Sequence, residues 1–355
     1  MEPTGARLGS SLLVPSVQEL AKEQLLEVPP RYVRTGQEPV LTSCLPSVAH
    51  EVPIIDMHRL VSMDSAGSEL ERLHLACKDW GFFQLINHGL SCSLLEKVKA
   101  QTQEFFNLPT EAKKKLWQTP DDVEGFGQVF VLSEEQKLDW ADMFYLVTLP
   151  RDIRKPHLFP KLPLPFRDFL EEYSSEVKNV SLNTLMFIAK ASKIGVEDMK
   201  VLFDEGVQSM RMNYYPPCPQ PEKVIGFSPH SDPLAITFLL QINDVEGLEI
   251  KKEGIWIPIK PLPNSFVVNI GDTLEIMTNG LYKSIEHRAI VNSKKERLSI
   301  AIFLAPKLDG EIGLAPSLIT PETPPKFKSV NVVDFFKNIF SNQLYGKGNI
   351  EHYYI

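Results

Sequence analysis

A histidine and an aspartate with the character of metal ligands lie close together in the C-terminal half of the sequence. In the stretch GFSPHSDPLAITFLLQ (226–241), His230 precedes Asp232 by two residues, directly ahead of an apolar run. Side chains two residues apart on a β-strand point to the same face, so both could bind one metal ion. The spacing by itself is weak evidence, because a histidine and an aspartate can also be neighbours by chance.

A second histidine, His287 in YKSIEHRAIV (282–291), could complete a metal site. Two imidazoles and one carboxylate form the facial triad of non-haem Fe(II) sites, which leaves coordination positions free for a co-substrate and O₂. A closed structural zinc site would need a fourth ligand, and Cys218 is the nearby candidate. The spacing alone leaves a metal site and unrelated structural roles equally favoured. Structural or surface roles are expected for the other histidines, His50, His58, His74, His88, His157 and His352.

A third pair of residues favours the metal site over unrelated structural roles for the two histidines and the aspartate. Arg297 and Ser299, in ERLSIAIF (296–303), are again two residues apart on a predicted strand, and the intervening apolar residues would pack on its opposite face. A buried guanidinium beside a hydroxyl calls for an anionic partner, and this pair matches a carboxylate. A solvent-facing pair on an edge strand is the alternative, and it would be favoured if the pair stood alone. Following the metal-ligand pattern, the pair indicates a 2-oxo acid whose distant carboxylate is bound by the arginine.

Composition and charge exclude several classes of function. The chain has 355 residues, is 43% hydrophobic and 23% charged, and carries a net charge of −8. Nucleic acids and anionic membranes bind basic patches, so neither is an expected partner. Cys44, Cys77, Cys92 and Cys218 form no CxxC pair, and we expect reduced thiols. The N-terminus lacks a signal-peptide pattern and the longest apolar runs are too short to cross a bilayer, which predicts a cytoplasmic protein. We also expect a monomer.

Periodicity and turn residues predict a helical N-terminal half followed by a β-rich core. A strand is predicted at 52–56, a helix with capping-box spacing at Ser68 and Glu71 that ends near Gly81, and further helices over about 93–107 and 166–192. The predicted divisions are an N-terminal extension (1–50), an N-terminal region (51–165), a long helix linking region (166–205), a jelly-roll core (206–310) and a C-terminal segment (311–355).

From about residue 208, short β-rich runs alternate with turn signals. The runs are MRMNYY, ITFLLQI, LEIKK, WIPIK, SFVVNIG, TLEIMT, YKSIEHRAIV and RLSIAIFLA. Turns are predicted at Glu253-Gly254, Gly271-Asp272 and Asn279-Gly280, the last being a strong hairpin signal. About eight short strands joined in this way favour a jelly roll or a sandwich. The predicted fold class is therefore mixed α/β (α+β), with a jelly-roll core on which the helical N-terminal region packs.

Several longer stretches resemble the plant 2-oxoglutarate- and Fe(II)-dependent dioxygenases. The matching stretches are WGFFQLINHG (80–89), MRMNYYPPCPQPE (210–222), HSD (230–232), GDTLEIMTNGLYKSIEHR (271–288) and RLS (297–299). Together they are highly specific, and the resemblance runs from about VPIID to IFLAP. The segment LVPSVQELAKEQLLEVPPRYVR (13–34) is similar to the subgroup that holds senescence-related and codeine- or thebaine-demethylase-like enzymes.

This resemblance implies a double-stranded β-helix core and an iron site. It implies that His230, Asp232 and His287 hold Fe(II), that Arg297 and Ser299 bind the 5-carboxylate of 2-oxoglutarate, and that Asn213 and Tyr215 touch this co-substrate. The implied reaction also uses O₂, with ascorbate as reductant. It converts 2-oxoglutarate to succinate and CO₂ while a hydrogen atom is removed from a small-molecule substrate, and the protein orients and shields the reactants. From the residues alone, a packed aromatic role is the favoured interpretation of Tyr215.

The substrate is less readable from the sequence. Candidate pocket residues are Phe303, Arg211, Met143, Tyr145 and Leu234, and core packing competes with this role for each. Flavonoid-oxidising relatives often carry a glutamate shortly after the position of Phe303, whereas this chain continues with Leu304 and Ala305, which disfavours a flavonoid substrate. An apolar pocket mouth favours a bulky alkaloid, terpenoid or phenylpropanoid. The reaction on the substrate could be hydroxylation, O-demethylation or desaturation. Two alternative functions also stay open: oxidation of a hormone or primary metabolite, and ligand binding without catalysis.

Overall fold

The computed structural model of the protein describes residues 11–23, 25–34, 51–119, 122–344 and 346–355. The predicted extension over residues 1–50 therefore lies partly outside the described residues, as do Cys44 and His50. The helices are α1 Val17–Ala21, α2 Met57–Val61, α3 Ala66–Leu75, α4 Cys92–Asn107, α5 Thr110–Lys113, α6 Phe166–Ser192, α7 Val196–Phe203, α8 Asp272–Met277, α9 Val332–Phe340 and α10 Gly348–Glu351.

Two sheets form the β-core, and the helices of the N-terminal half pack on the larger one. The strands are β1 Ile54–Asp56, β2 Phe82–Ile86, β3 Gly125–Gly127, β4 Asp142–Leu149, β5 Gln208–Tyr215, β6 Phe227–His230, β7 Ile236–Gln241, β8 Leu248–Lys252, β9 Ile255–Pro258, β10 Phe266–Ile270, β11 His287–Ala289, β12 Arg297–Leu304, β13 Glu311–Ile312 and β14 Val330–Asn331. The larger sheet has the order β1-β2-β10-β7-β12-β5-β4-β3, and the smaller one has the order β6-β11-β8-β9. This mixed α+β fold with its jelly-roll core confirms the predicted fold class.

The alternation of residues along β12 shows how the core and the site share one sheet. Leu298, Ile300 and Ile302 are fully buried in the main hydrophobic cluster, where α6 contacts β4 and β12. Arg297 and Ser299 consequently point to the other face, as the period of two requires. One strand therefore anchors the helical layer through its apolar residues and presents polar residues to the interior of the jelly roll.

The predicted helices are largely confirmed, with one error in a cap. The helix α6 spans Phe166–Ser192 as predicted, and α4 begins at Cys92 with the Ser91 hydroxyl accepting from the Leu94 amide at 3.1 Å. The helix before Gly81 begins at Ala66, and the Ser68 hydroxyl bonds to the Ser65 carbonyl at 3.0 Å, so the capping box was wrong. Gly81, with a φ of 61°, ends the helical region in the left-handed conformation that suits glycine.

Two predicted strand assignments near the site were wrong. TLEIMT belongs to α8, and Asn279-Gly280 follows this helix instead of joining two strands. Every residue of α8 is buried, including the polar Asp272, Thr273 and Glu275, so the polar residues do not mark an exposed face of the helix. Of YKSIEHRAIV, only His287–Ala289 forms a strand. The predicted turn at Glu253-Gly254 is confirmed, since it joins β8 to β9.

The described part of the N-terminal extension covers one side of the jelly roll. Val17, Val28 and Tyr32 are buried against Trp140, and the rings of Tyr32 and Trp140 meet edge to face with centroids 5.2 Å apart. At the start of α1, the Asp142 carboxylate accepts hydrogen bonds from the amides of residues 17 and 18, each at 2.9 Å. A buried acceptor on β4 thus satisfies helix-end donors that would otherwise lack partners.

A half-buried lysine on α6 should make stability depend on pH. The Lys178 ammonium donates to the carbonyls of Phe203 at 3.2 Å and Gly206 at 2.7 Å, and burial lowers its pKa from 10.5 to about 8. Between these two values the unfolded chain binds more protons at this site, so its contribution to the free energy of unfolding rises with pH. We expect Lys178→Met to reduce the rise in stability between about pH 8 and 10.5, measured by urea unfolding.

The control for this prediction is Lys190→Met, which removes an exposed lysine from the same helix. It should keep the pH dependence of the wild type. Parallel curves for Lys178→Met and the wild type would show that Lys178 titrates as an ordinary surface lysine.

Candidate metal centre and substrate pocket

Three potential metal ligands meet where β6 and β11 pair. His287 lies opposite His230 in the antiparallel register, and Asp232 follows β6 directly. The Asp232 Oδ1 atom is 3.4 Å from His230 Nε2 and 3.7 Å from His287 Nε2. One ligand atom from each residue lies within 4.8 Å of the others, and all three side chains are buried. Two imidazole nitrogens and one carboxylate oxygen at this spacing fit the ligand set of non-haem iron.

Each of these side chains is held through the atom that faces away from the centre. The His230 Nδ1 donates to the Ser228 carbonyl at 2.8 Å, and the His287 Nδ1 donates to the Ile285 carbonyl at 3.2 Å, when these nitrogens carry the proton. This tautomer leaves the Nε2 lone pair of each ring free for a metal ion. Backbone carbonyls thereby set the orientation of both imidazoles.

The carboxylate of Asp232 is held by two donors on one oxygen. Its Oδ2 accepts from the Thr237 hydroxyl at 2.5 Å and from the Asn269 amide at 2.8 Å. Because both bonds occupy Oδ2, the Oδ1 atom is the one that faces the histidines. Asp232 is therefore arranged to offer a single oxygen, which fits a triad that must keep further coordination positions available.

Electrostatics favour the ligating forms of these residues. Burial by itself would raise the pKa of Asp232, but His287, His230 and the hydrogen bond from Thr237 hold it well below its ordinary value. Burial and the neighbouring His230 lower the pKa of His287 to about 4. At neutral pH the site thus presents an ionised carboxylate and a neutral His287 imidazole, the protonation states that metal binding requires.

The predicted carboxylate clamp lies on β12 and β5, facing the interior of the jelly roll. Ser299 pairs in register with Asn213 and Arg297 with Tyr215, and the Asn213 amide donates to the Ser299 hydroxyl at 3.3 Å. Arg297 is 2% exposed, lies over the Tyr215 ring at 5.2 Å and donates to the Gln241 side chain at 2.9 Å.

The clamp has an unused donor that an anion could accept. Within the described residues, Arg297 has no ion-pair partner, and its Nε is buried without a hydrogen bond. The Asn213 Oδ1 is also buried without a hydrogen bond, but it is an acceptor and would need a donor. A buried guanidinium without a counter-ion is costly, so the site is complete when a carboxylate lies beside it. These residues fit the far carboxylate of a dicarboxylic 2-oxo acid.

A cavity of about 110 Å³ joins the triad and the clamp. Its walls include four of the five predicted substrate residues: Phe303, Arg211, Tyr145 and Leu234. Met143 lies on the same face of β4 as Tyr145 but is 1% exposed and does not line the cavity. The structure therefore brings together four predicted pocket residues and leaves Met143 buried outside the cavity lining.

Sequence reasoning missed several walls of this cavity. Apolar side chains from distant segments complete it: Phe82, Val129, Phe130, Phe227, Leu239, Leu248, Val267, Phe340 and Leu344. These residues come from loops, strands and the helix α9 and have apolar side chains that carry no chemical signal, so only the fold identifies them as walls of the cavity. The Arg211 guanidinium lies over the Phe227 ring at 3.9 Å, and its buried Nε lacks a hydrogen-bond partner.

The donors that hold Asp232 lead to a prediction about metal affinity. Removing them with Thr237→Val and Asn269→Leu lets the carboxylate rotate, so we expect the double variant to bind Fe(II) about 10–100-fold more weakly. Anaerobic metal titration measures this. The control is Thr102→Val, which removes a buried hydroxyl from α4 that donates to its own helix at 2.8 Å. Equal affinities in the double variant and the wild type would refute the positioning role.

Comparison with known proteins identifies the family. The family model described as the 2OG-Fe(II) oxygenase superfamily matches residues 206–306, and the one described as non-haem dioxygenase in morphine synthesis N-terminal matches residues 52–162. Protein SRG1 of Arabidopsis thaliana is 56% identical over 354 residues, covering 99% of both chains. The chain belongs to the 2-oxoglutarate- and Fe(II)-dependent oxygenases. It is an oxidoreductase of this family, and the predicted use of Fe(II) and 2-oxoglutarate is confirmed.

Further relatives within the 2-oxoglutarate- and Fe(II)-dependent oxygenases differ in their named substrates. Oxoglutarate-dependent flavonoid 7-O-demethylase 1 of Ocimum basilicum is 53% identical, over 97% of this chain and 92% of its own. Codeine O-demethylase of Papaver somniferum is 51% identical, over 99% and 98%. A crystal structure of JOX2 in complex with 2OG, Fe and JA matches with a TM-score of 0.84, 32% identity and coverage of 96% and 98%. These similarities support the family and the fold.

The structure has no helix, within its described residues, that is long and apolar enough to cross a membrane. The predicted division of the chain at residues 50, 165, 205 and 310 stays a prediction.

Proposed function

We propose that this enzyme oxidises a bulky, mostly apolar specialised metabolite, with consumption of 2-oxoglutarate and O₂ and release of succinate and CO₂. The observation that carries the proposal is the cavity in which an apolar wall meets the His230–Asp232–His287 triad. Such a pocket binds apolar molecules and orients them through few polar groups. An alkaloid, a phenylpropanoid such as a flavonoid, or a terpenoid fits this description.

The triad and the clamp have separate tasks in this reaction. We assign Fe(II) binding to His230, Asp232 and His287, and binding of the far carboxylate of 2-oxoglutarate to Arg297 and Ser299. When bound, the metal and its co-substrate supply the oxidising power that removes a hydrogen atom from the substrate. Thr237 and Asn269 keep Asp232 to one ligand atom, while Asn213 and Tyr215 border the co-substrate.

The remaining wall residues position the substrate and exclude water. Phe303 and Leu234 supply apolar surface, and Tyr145 and Arg211 supply the polar groups of an otherwise apolar wall. Water excluded from such a site cannot quench reactive species there, and the substrate is oxidised in a fixed orientation.

The named relatives favour O-demethylation among the possible outcomes. Enzymes 53% and 51% identical to this chain are named as demethylases of a flavonoid and of codeine. The flavonoid relative also weakens the interpretation that Leu304 and Ala305 disfavour a flavonoid. We therefore propose a methoxylated ring compound as the first substrate class to test, with ascorbate as the reductant.

Arg211 supports a second candidate, oxidation of a carboxylic acid such as a hormone. Its guanidinium lines the pocket with a buried Nε that lacks a partner, and a substrate carboxylate would satisfy it. The relative crystallised with JA is 32% identical. Under this candidate, Arg211→Leu removes activity toward acids and keeps activity toward neutral methoxylated compounds.

One experiment tests both candidates. The enzyme is reconstituted anaerobically with Fe(II) and 2-oxoglutarate, then exposed to O₂ with methoxylated flavones, methoxylated alkaloids or jasmonate-like acids, while succinate and formaldehyde are measured. Formaldehyde in step with succinate supports O-demethylation, and succinate with an acid substrate alone supports the second candidate. If no compound raises succinate above the background, and His230→Ala leaves that background unchanged, the proposal is wrong.

We also propose that the protein acts as a cytoplasmic monomer without nucleic-acid or membrane partners. The net charge of −8 supports this, since those partners attract basic surfaces. Light scattering after size-exclusion chromatography tests the oligomeric state, and a particle of twice the chain mass would contradict it.

A further inference from the structure

Phe130 has a backbone conformation that bulky residues rarely adopt. It lies in the loop between β3 and β4 with a φ of 69°, in the left-handed region that is sterically unfavourable for a residue with a Cβ atom. Residues in such conformations persist where their surroundings hold them, and they concentrate at functional sites. The surroundings of Phe130 therefore indicate what this conformation achieves.

The side chain of Gln136 holds the backbone on both sides of Val131. Its Nε2 donates to the Phe130 carbonyl at 2.7 Å, and its Oε1 accepts from the Leu132 amide at 2.8 Å. One amide side chain thus replaces two backbone partners that this loop lacks. Gln136 fixes the turn at which Phe130 projects.

The N-terminal segment holds the same loop from the other side. The Ser11 hydroxyl donates to the Gln128 carbonyl at 2.7 Å and accepts from the Val131 amide at 3.2 Å, and the Leu12 amide donates to the Val131 carbonyl at 2.8 Å. None of the described residues before 82 lines the cavity. The extension thus reaches the pocket indirectly, through the loop that carries Phe130.

The Phe130 ring closes the pocket together with a residue of the C-terminal segment. It stacks on Phe340, the last residue of α9, with centroids 5.5 Å apart and an angle of 9° between the planes. Both rings line the cavity that contains the metal triad. Two segments far apart in the chain thus meet at the substrate pocket through this pair of rings.

The size of the cavity indicates that this contact must open. The enclosed volume is about 110 Å³, whereas pockets for drug-sized molecules enclose about 300–1,000 Å³. A bulky substrate and 2-oxoglutarate fit together only if part of the wall moves. The strands of the jelly roll are fixed by continuous ladders. The Phe130 loop belongs to no sheet and is held in a strained conformation by separate hydrogen bonds from Gln136 and the N-terminal segment, so it is the wall best suited to move.

We propose that Phe130 and Phe340 form an aromatic clasp that determines substrate specificity, and that Gln136 and the N-terminal segment set its closed position. The inference rests on the proposed function, since it concerns entry to the same pocket. The clasp rings and the walls formed by Phe82, Phe227 and Phe303 favour a flat unsaturated ring system over a branched aliphatic compound, because aromatic faces and edges pack best on one another.

Binding measurements test the specificity of the clasp without turnover. The enzyme, loaded anaerobically with Mn(II) and 2-oxoglutarate, is titrated with a methoxylated flavone and with the aliphatic acid 2-ethylhexanoate. Phe130→Ala and Phe340→Ala should each weaken flavone binding at least tenfold and reduce the preference of the enzyme for the flavone over 2-ethylhexanoate. Phe130→Leu should have an intermediate flavone affinity. Phe187→Leu, on the helix α6, serves as the control. If both alanine variants keep the wild-type affinity for the flavone and the wild-type preference for it over 2-ethylhexanoate, the proposal is wrong.

Two measurements without any substrate test how the clasp is held. Gln136→Leu should speed hydrogen exchange of the amides of residues 131 and 132 at least tenfold while exchange in β12 stays unchanged. Phe130→Gly should unfold at a higher urea concentration than Phe130→Ala, because both lack the ring and glycine alone accepts the left-handed backbone. If hydrogen exchange is unchanged in Gln136→Leu, or if Phe130→Gly and Phe130→Ala unfold at the same urea concentration, Gln136 does not hold a strained loop. This conclusion does not depend on binding of the flavone probe.

These outcomes separate the clasp from the proposed function. Loss of flavone binding in Phe130→Ala, combined with no turnover of any compound by the wild type, supports the clasp and refutes the reaction. Wild-type turnover of methoxylated rings that is unaffected by Phe130→Ala or Phe340→Ala supports the reaction and refutes the clasp.

Discussion

Asp232→Ala should abolish 2-oxoglutarate-dependent turnover and weaken Fe(II) binding. The substitution removes the single anionic ligand of the triad, whose Oδ1 lies 3.4 Å and 3.7 Å from the two histidine nitrogens. It also leaves the Thr237 hydroxyl and the Asn269 amide without their acceptor. We expect kcat/KM to fall at least about 10³-fold, because all oxidising chemistry depends on the bound metal.

Two comparisons make the Asp232 result specific. Anaerobic Fe(II) titration should show loss of the tight site, and urea unfolding without metal should show a fold that remains cooperative. Asp142→Asn, which alters a buried carboxylate that caps α1, should keep Fe(II) affinity while lowering stability. Retention of Fe(II) affinity in Asp232→Ala would place the metal elsewhere.

Arg297→Ala should raise the KM for 2-oxoglutarate about 10²–10³-fold, since truncating one partner of a buried charge pair costs about 2–5 kcal/mol. Arg297 is 2% exposed and has no ion-pair partner within the described residues, and under the proposed function the co-substrate carboxylate is its counter-ion. The KM for the oxidised substrate should change little. Steady-state kinetics with each reactant varied in turn measures the two effects.

A chemical comparison separates a charge clamp from a packing role for Arg297. The wild type should strongly prefer 2-oxoglutarate over 2-oxovalerate, which lacks the distant carboxylate, and Arg297→Ala should lose most of this preference. Arg297→Lys keeps the charge but loses the planar fork, so an intermediate preference is expected. Arg211→Leu is the matched control, because this arginine faces the same pocket and we assign it to the substrate. Equal changes in both KM values would mean that the clamp is misassigned.

Local patterns were sufficient for much of the site and of the helical layer. Alternation on a strand placed Arg297 and Ser299 on one face and Leu298 on the other, because this period follows from backbone geometry alone. The amphipathic period of α6 gave its span from Phe166 to Ser192 for the same kind of reason. Such features depend on neighbouring residues only, so the sequence contains the information needed to find them.

Sequence patterns failed where the fold buries polar residues as well as apolar ones. The helix α8 was predicted to be a strand, and its residues 273–276 alternate between polar and apolar, yet the fold buries every residue of this helix. Met143 was predicted to line the pocket because its segment borders the pocket in relatives, yet Tyr145 on the same face of β4 is the residue that lines the cavity. Whether a buried side chain reaches a cavity depends on tertiary packing.

The sequence by itself determined the chemistry of this protein, and the tertiary structure decided how that chemistry is directed. The identities and order of His230, Asp232, His287 and Arg297 predict a metal and an anion, because these properties belong to the side chains. The hydrogen bond from Asn269 that orients the Asp232 carboxylate joins segments far apart in the chain, and so does the stacking of Phe130 on Phe340 at the pocket. Such contacts form only when the fold brings those segments together.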